Sequence, residues 1–245
     1  CSRDWSSDVC SDLGGIFSTR TSTFSPTQNR IYFIPNAQSN QTNWHYVDCS
    51  NGNIVAYANG VTAVANAYLG GVYSPLQNRI YMVPFSQSNQ TNWHYINCAN
   101  GTVTAYTHGV TAVATAYAGG VYNSTQNRIY FVPWAQGNQT NWHYIDCSNG
   151  NVVAYAHGAT VVANGYIGGV YSSTQNRIYF VPFAQSNQTN WHYIDCSNGT
   201  VVAYAHGATA VANAYYGGVY MPTQNRIYFV PNAQATQTNW HYINC

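Results

Sequence analysis

Short apolar runs divided by polar punctuation fill this chain, and residues 119–150, GGVYNSTQNRIYFVPWAQGNQTNWHYIDCSNG, show the pattern in full. Gly119–Tyr122 is small and β-prone, and its two glycines let backbones crowd together. Asn123–Gln126 forms a turn, and sister copies place Pro26, Pro75 and Pro222 inside it. Arg128–Val132 is rich in aromatic and branched residues and stops at Pro133, which predicts a strand. Pro133–Asn141 is a polar loop, and Trp142–Cys147 is the next strand. Asn149-Gly150 then closes a hairpin, an arrangement that puts both central residues at positive φ. Val152–Tyr155 is a fourth strand, and Ala159–Tyr166 links to the next copy. No stripe with a period of 3.6 residues interrupts this order, so a helical solenoid is excluded.

The order repeats with a period of 49 residues. Gln-Asn-Arg recurs at Arg30, Arg79, Arg128, Arg177 and Arg226, and Trp-His-Tyr at Trp44, Trp93, Trp142, Trp191 and Trp240. A fixed period of this size means an array of stacked units. Four short strands per unit predict an all-β protein, a β-propeller of about five four-stranded antiparallel blades; a β-solenoid would have a shorter coil. Repeat cores fall at 24–68, 69–117, 118–166, 167–215 and 216–245, within an array spanning 14–245. The register further predicts truncation at both ends. The fifth copy stops at Cys245 inside its third strand, and the first copy begins inside its first.

The string G-G-V-Y-S-P-x-Q-N-R-I-Y-x-V-P resembles the G-G-V-x-x-P-x-G-x-I-Y-x-I-P repeat of uncharacterised β-propeller proteins, whose blades end in a motif similar to x-Y-I-D-x-x-x-G-x-V. The resemblance covers Phe24–Cys245 and departs at the Gln-Asn of the first turn and at the long Gln/Asn loop. It implies a fold and carries no activity. Residues 1–13, CSRDWSSDVCSDL, share nothing with the repeat. They resemble translated sequencing-adapter read-through and are set aside as a non-native or disordered tail.

Composition sharpens this picture in one respect. Apolar residues make up 46% of the chain, enough for a continuous core, yet charged residues make up only 5%, against about 25% in ordinary domains. Lys and Glu are absent, so Asn, Gln, Ser and Thr must wet the surface. A net charge of +1 leaves no electrostatic footprint for nucleic acid or an anionic membrane. No apolar run is long enough to span a bilayer as a helix.

Candidate chemistry is repetitive. His45, His94, His143, His192 and His241 hold one register position, and His108, His157 and His206 another, where the first copy has Asn59. Rings of imidazoles could hold a ligand or metal. The competing expectation, which we favour, is a copied packing contact. Alternation puts Trp, Tyr and Asp on one face of the third strand and His, Ile and Cys on the other. His143 and Cys147 do not have zinc-site spacing, no Cys-x-x-Cys occurs, and neither a metal nor a cofactor is expected. Cys49, Cys98, Cys147, Cys196 and Cys245 come one per unit and read as unpaired thiols that fill space. Asn40, Asn89, Asn138, Asn187, Asn100 and Asn198 open glycosylation-type triplets, which we read as duplicated loop sequence.

The repeats hold only Asp48, Asp146 and Asp195 as carboxylates, all at one register position that Asn97 and Asn244 occupy elsewhere. Glycosidic acid–base chemistry needs two acids in distinct environments, so no catalytic residue is expected. Each Arg is expected to pair with an Asp or cap a turn carbonyl. The loop after the second strand is the expected binding surface: Asn36, Gln38, Phe85, Gln87, Trp134, Gln136, Phe183, Gln185, Asn232 and Gln234, with Trp134 placed for exposure. Aromatic groups set among amides are what sugar rings and peptides stack on. The Trp and His positions above are expected to be structural. The function expected is a non-catalytic binding scaffold using one rim of loops, with a protein or glycan as partner. The alternative is a lectin-like multivalent binder, gaining avidity from weak equivalent sites. An enzyme whose unique acids lie in further blades is the third possibility.

Overall fold

The computed structural model describes residues 21–36, 41–61, 66–86, 90–111, 114–135, 139–160, 164–184, 188–208, 213–232 and 237–245. Residues 1–13 lie outside that set. The described residues form five antiparallel sheets and no helix. Blade one holds β1 (Ser22–Ser25), β2 (Arg30–Phe33), β3 (Asn43–Asp48) and β4 (Asn53–Ala58). Blade two holds β5 (Tyr68–Ser74), β6 (Arg79–Pro84), β7 (Asn92–Asn97) and β8 (Val103–Thr107). Blade three follows with β9 (Tyr117–Asn123), β10 (Arg128–Pro133), β11 (Asn141–Asp146) and β12 (Asn151–Ala156). Blade four has β13 (Tyr166–Ser172), β14 (Arg177–Pro182), β15 (Asn190–Asp195) and β16 (Thr200–Ala205). Blade five has β17 (Tyr215–Met221), β18 (Arg226–Pro231) and β19 (Tyr242–Asn244). Strand order follows chain order in every sheet, the meander of a β-propeller.

Each blade buries its flanks against its neighbours. Tyr130, Val132 and Trp142 of blade three meet Tyr166, Ile178, Phe180, Ile194 and Cys196 of blade four in one apolar cluster. The same seam forms between blades two and three, with Trp93 against Phe131, Ile145 and Cys147. Third-strand alternation makes this possible. Trp142 and Tyr144 face forward to the next blade, while Ile145 and Cys147 face back. Full burial of a side chain such as Phe180 contributes about 1.5–3 kcal/mol, so several per seam outweigh any single turn.

The inner strands β1, β5, β9, β13 and β17 pack in sequence. Their glycines set the spacing. A Cβ built on Gly169 would lie 2.8 Å from Val121 Cγ2, and one on Gly120 2.9 Å from Val72 Cγ2. The first glycine of the pair has another role. Gly70 and Gly119 take φ of +119° and +145°, where β5 and β9 shift register against their partners.

The Asn-Gly hairpin differs from the expected two-residue turn. Asp146 pairs with Asn151, which leaves a four-residue loop in which Gly150 has φ of +84° and donates its N–H to Asp146 O at 2.7 Å. Asn149 stays at negative φ because its side chain is engaged in accepting the Asn151 N–H at 2.9 Å. The turn between first and second strands has the same length, with Asn29, Asn78, Asn127, Asn176 and Asn225 as the left-handed residue at φ of 50–52°. The Asn of Gln-Asn-Arg is therefore a backbone requirement. Its side chain accepts the hydroxyl of Tyr73, Tyr122, Tyr171 or Tyr220 within the blade, and Thr27 reaches Asn78 across the first seam at 2.7 Å.

Arg30, Arg128 and Arg177 stand opposite Asp48, Asp146 and Asp195 and are attracted to them, but the Arg side chains also make a contact that the expectation of Asp pairing or carbonyl capping did not include. Every guanidinium lies over the third-strand tyrosine, from Arg30 over Tyr46 to Arg226 over Tyr242, at 4.2 to 4.4 Å. A flat cation stacks readily on a ring face. The carboxylate opposite is already engaged: Asp146 Oδ1 accepts the Ser148 N–H at 2.9 Å and its hydroxyl at 2.6 Å. Asn97 keeps the backbone half of this cap, accepting the Ala99 N–H at 2.9 Å, which explains why Asp and Asn interchange at this position.

Gly169→Ala is expected to destabilise the chain by about 1–3 kcal/mol in denaturant titrations, the range for overpacking. Adding Val121→Ala should return at least half of that loss. Simple addition of the two single-mutant costs would refute the steric account of the seam.

Candidate functional site

The two ends of the strands carry different chemistry. The turns between first and second strands and the third-to-fourth hairpins lie at one end, together with Arg30, Arg79, Arg128, Arg177, Arg226, Asp48, Asp146 and Asp195. The second-to-third loops and the links between blades lie at the other end, the loop face. Among the described residues no Arg or Asp stands on the loop face.

The loop face has its own order. Phe85, Trp134 and Phe183 directly follow the prolines that end β6, β10 and β14. Their amides donate to the carbonyls of Ala67, Ala116 and Gly165 at 2.8 Å. Their carbonyls in turn accept from Ala116, Asn164 and Asn213 of the following link. Each aromatic is thus pinned between its own inner strand and the next blade. The side chains are half-buried against the cluster that includes Leu69, Ala118 and Ile167, the residues just before the glycine pairs. Trp134 and Phe183 lie 5.1 Å apart between ring centroids, and Phe183 and Tyr216 6.1 Å apart. The result is an apolar collar over the inner strands of blades two to five. Trp134 is half-buried rather than fully exposed, because Phe183 covers one side.

The end blades carry asparagine at this position. Asn36 is buried and donates from Nδ2 to Tyr68 O at 2.8 Å; Asn232 is exposed and donates to Asn213 O at 2.9 Å. Gln38, Gln87, Gln136, Gln185 and Gln234 lie outside the described residues. So do Asn40, Asn89, Asn138 and Asn187. Sequence reasoning found Phe85, Trp134 and Phe183 but missed Leu69, Ala118, Ile167 and Tyr216. A signal was present: the position before each glycine pair drifts through Leu, Ala, Ile and Tyr while its neighbours stay fixed.

The imidazoles lie below this surface as two structural sets. Tyr68, Tyr117, Tyr166 and Tyr215 on the first strands meet Nδ1 of His94, His143, His192 and His241 on the third, the Tyr166–His192 contact measuring 2.5 Å. Burial holds Tyr68, Tyr117 and Tyr166 protonated and drives the imidazole pKa values down, to about 4 for His143 and His192. The hydroxyl therefore donates and Nδ1 accepts. His45 of blade one is half-buried, and burial lowers its pKa as well. The second set stacks on tryptophan, His108 on Trp93, His157 on Trp142 and His206 on Trp191, at 3.8 to 4.0 Å. Nε2 of His157 donates to Gln139 O at 2.5 Å, and Nδ1 accepts the Ala159 N–H at 3.1 Å. Asn59 makes the same two bonds, to Gln41 O at 2.9 Å and from Val61 N–H at 3.0 Å. An amide keeps both hydrogen bonds while giving up the stack on tryptophan, so the bonds these positions share are the ones that hold the loops. Trp44, Trp93, Trp142 and Trp191 are buried in the seams, while Trp240 on the last blade is exposed.

Among the described residues no three His, Cys, Asp or Glu side chains cluster to hold a metal ion. Cys98, Cys147 and Cys196 are buried, and burial raises their thiols, Cys196 to about 12. Cys49 is exposed, unlike Cys98, Cys147 and Cys196; among the described residues no strand packs on its face of blade one. No helix of the described residues is long and apolar enough to cross a membrane.

No protein-family model matches the chain, and no curated protein matches its sequence. Its fold is similar to that of several solved structures. Hydrazine synthase of Kuenenia stuttgartiensis aligns with a TM-score of 0.60 at 13% identity over 92% of this chain and 62% of that one. An auxiliary nutrient binding protein of Bacteroides thetaiotaomicron aligns at 0.53 and 13%, over 86% and 51%. A protein of unknown function from the same organism aligns at 0.52 and 11%, over 83% and 50%. The chain thus spans about half to three fifths of the length of these structures, and at such identities the likeness is one of fold.

Two outcomes follow from the imidazoles. His94, His143, His192 and His241 hold fewer protons folded than unfolded below the ordinary histidine value of 6.5. Stability should therefore be full above pH 6.5 and fall steadily towards pH 4, as read from denaturation midpoints across that range. A flat profile would refute the buried Tyr–His pairs. His157→Asn should stay within about 1 kcal/mol of the parent, whereas His157→Ala, which strands two backbone groups, should lose about 2–3 kcal/mol. Equal losses from both would refute the loop-holding role.

Proposed function

We propose that the chain is a non-catalytic β-propeller that binds an uncharged partner on its loop face, with the Phe85–Trp134–Phe183–Tyr216 collar as anchor. One observation carries the proposal: the aromatic arc, half-buried at Phe85, Trp134 and Phe183 and exposed at Tyr216, stands on the face that has no described Arg or Asp, while every described Arg and Asp stands on the opposite one. Exposed aromatic edges over a rigid inner strand supply contact area at little entropic cost. The absence of opposed charges leaves nothing to select an ionic ligand. Nor does the collar offer a paired acid and base, since the three described carboxylates cap turns at the far end. The partner is a protein segment or a glycan.

The glycan reading has a specific observation in its favour. Trp134, Phe183 and Tyr216 offer tilted rings in series, which suits the apolar faces of neighbouring sugar units. The auxiliary nutrient binding protein of B. thetaiotaomicron has a similar fold, and this supports the scaffold reading at the level of fold alone.

The test is an array of neutral glycans and neutral aromatic- or proline-rich peptides, probed with the parent and with Trp134→Ala. Binding should be insensitive to salt and should weaken at least tenfold in the variant, about 1.4 kcal/mol. Binding that survives Trp134→Ala unchanged would remove the collar from the site. Binding only to charged probes would overturn the proposal. Peptide binding without glycan binding would remove the lectin reading.

A further inference from the structure

Copies this alike reveal a site where they stop being alike, and on the loop face four departures meet at the seam between blades two and three. Ser86 follows Phe85, where Ala37, Ala135, Ala184 and Ala233 stand in the other copies. Thr115 lies in the link to β9, where the later links have Asn164 and Asn213 and the earlier one Asn66. Ala118 is the smallest residue before a glycine pair, against Leu69, Ile167 and Tyr216. Trp134 is the one tryptophan in a position otherwise held by Asn36, Phe85, Phe183 and Asn232. Backbone bonds tie these places together. The Ala116 N–H donates to Phe85 O at 3.3 Å, Ala116 O accepts the Trp134 N–H at 2.8 Å, and Thr115 O accepts the Ala135 N–H at 3.1 Å. Blades two and three each have a packed neighbour on both sides, so the seam lies inside the array.

The Thr115 departure is costly. Its φ is +54°, in the left-handed region that Asn66, Asn164 and Asn213 occupy at 54–57°. Asparagine tolerates that region, whereas a β-branched residue there is strained, and strain of this kind gathers at functional positions. A bond changes with it. At the next two seams the Asn164 and Asn213 N–H groups donate to the carbonyls of Trp134 and Phe183 at 2.8 and 2.9 Å. At this seam the Phe85 carbonyl takes the Ala116 N–H instead, at the longer 3.3 Å, and is the most weakly held of the three. Ser86 and Thr115 are both half-buried, and each puts a hydroxyl where its counterparts have a methyl or an amide. Trp134 leans on Phe183, while Phe85 has no ring neighbour among the described residues, so Phe85 and Trp134 flank the seam without stacking on each other.

We propose that the chain carries one sugar subsite at this seam, taking a single uncharged pyranose unit against Phe85 and Trp134; this rests on the collar reading of the loop face. The C–H face of the sugar lies on an aromatic ring, and its hydroxyl edge meets Ser86, Thr115 and the Phe85 carbonyl, polar groups that carry no charge. A proline-rich peptide could use the rings but would leave both added hydroxyls unused, which favours the sugar. Ala118 acts on specificity through room: a branched residue there, as at Ile167, would crowd the two rings from below. The other seams lack the paired hydroxyls, so binding is one-to-one rather than one site per blade.

The experiment titrates the 245-residue chain with neutral disaccharides of glucose, galactose, mannose and N-acetylglucosamine, and with a neutral proline-rich peptide, in a calorimeter. Three variants accompany the parent: Trp134→Ala, Thr115→Asn, and the combination Ser86→Ala, Thr115→Asn and Ala118→Ile, which gives this seam the residues of its sisters. The parent should bind one disaccharide per chain, and the combined variant should bind about tenfold or more weakly. Thr115→Asn alone should raise the melting temperature and weaken binding; a rise with binding unchanged would make the strain incidental and overturn the assignment. Several equivalent sites in the parent, or parental affinity in the combined variant, would also overturn it. If Trp134→Ala still loses binding in that case, the collar stands and only the seam assignment falls; if it too binds unchanged, both fall. No binding of any disaccharide would overturn the inference, and peptide binding alone would leave the collar as a protein site.

Discussion

The approach of one inner strand to the next is the contact on which everything else rests. Gly169 lies so close to Val121 that a single methyl would collide, and Gly120 repeats the contact with Val72. At that distance Trp142 is sealed by Phe180, and the tyrosines and isoleucines of adjoining blades interlock. Widening the gap by a methyl would leave those large side chains short of contact, and loose packing is costly in proportion to the volume left empty. The turns, the Arg–Tyr stacks and the Tyr–His bonds are arranged around this spacing and do not create it.

Much of the architecture was legible because each feature has a local cause. Proline stops, aromatic strands and the 49-residue period lead to blades without knowledge of any contact. Seam partners were less legible, since they depend on which face of a strand looks forward. The sequence offered Arg30 both an acid and a carbonyl, and only the packing shows that the guanidinium lies over the Tyr46 ring. The hairpin was misjudged for a similar reason. Asn149-Gly150 suits a two-residue turn, but the observed loop has four residues, capped by Asp146, and the Asn149 side chain holds the Asn151 N–H with Asn149 outside positive φ.

The site was half legible. Trp134 and its counterparts were visible as aromatics in a polar loop, but the residues beneath them belong to a different strand, fifty or more positions from the collar members of the next blade. Charge segregation was invisible in composition, where the few Arg and Asp look dispersed. Folding gathers them at one end of the strands because each follows or precedes a turn on that side. The His positions illustrate the converse. They invited a metal or ligand in the sequence, and Asn59 shows that an amide suffices for the bonds one set of them makes.

The glycine–valine seam has a bearing on how such an array changes over time. Each blade carries half of two interfaces, a small residue that faces back and a branched one that faces forward. A side chain gained on Gly169 is tolerable only when Val121, in another repeat, becomes smaller. Substitutions are therefore linked across repeats rather than within them, and the heritable module is the seam rather than the blade. A repeat copied whole and inserted elsewhere brings compatible edges with it, which favours duplication over gradual drift and fits copies as alike as these.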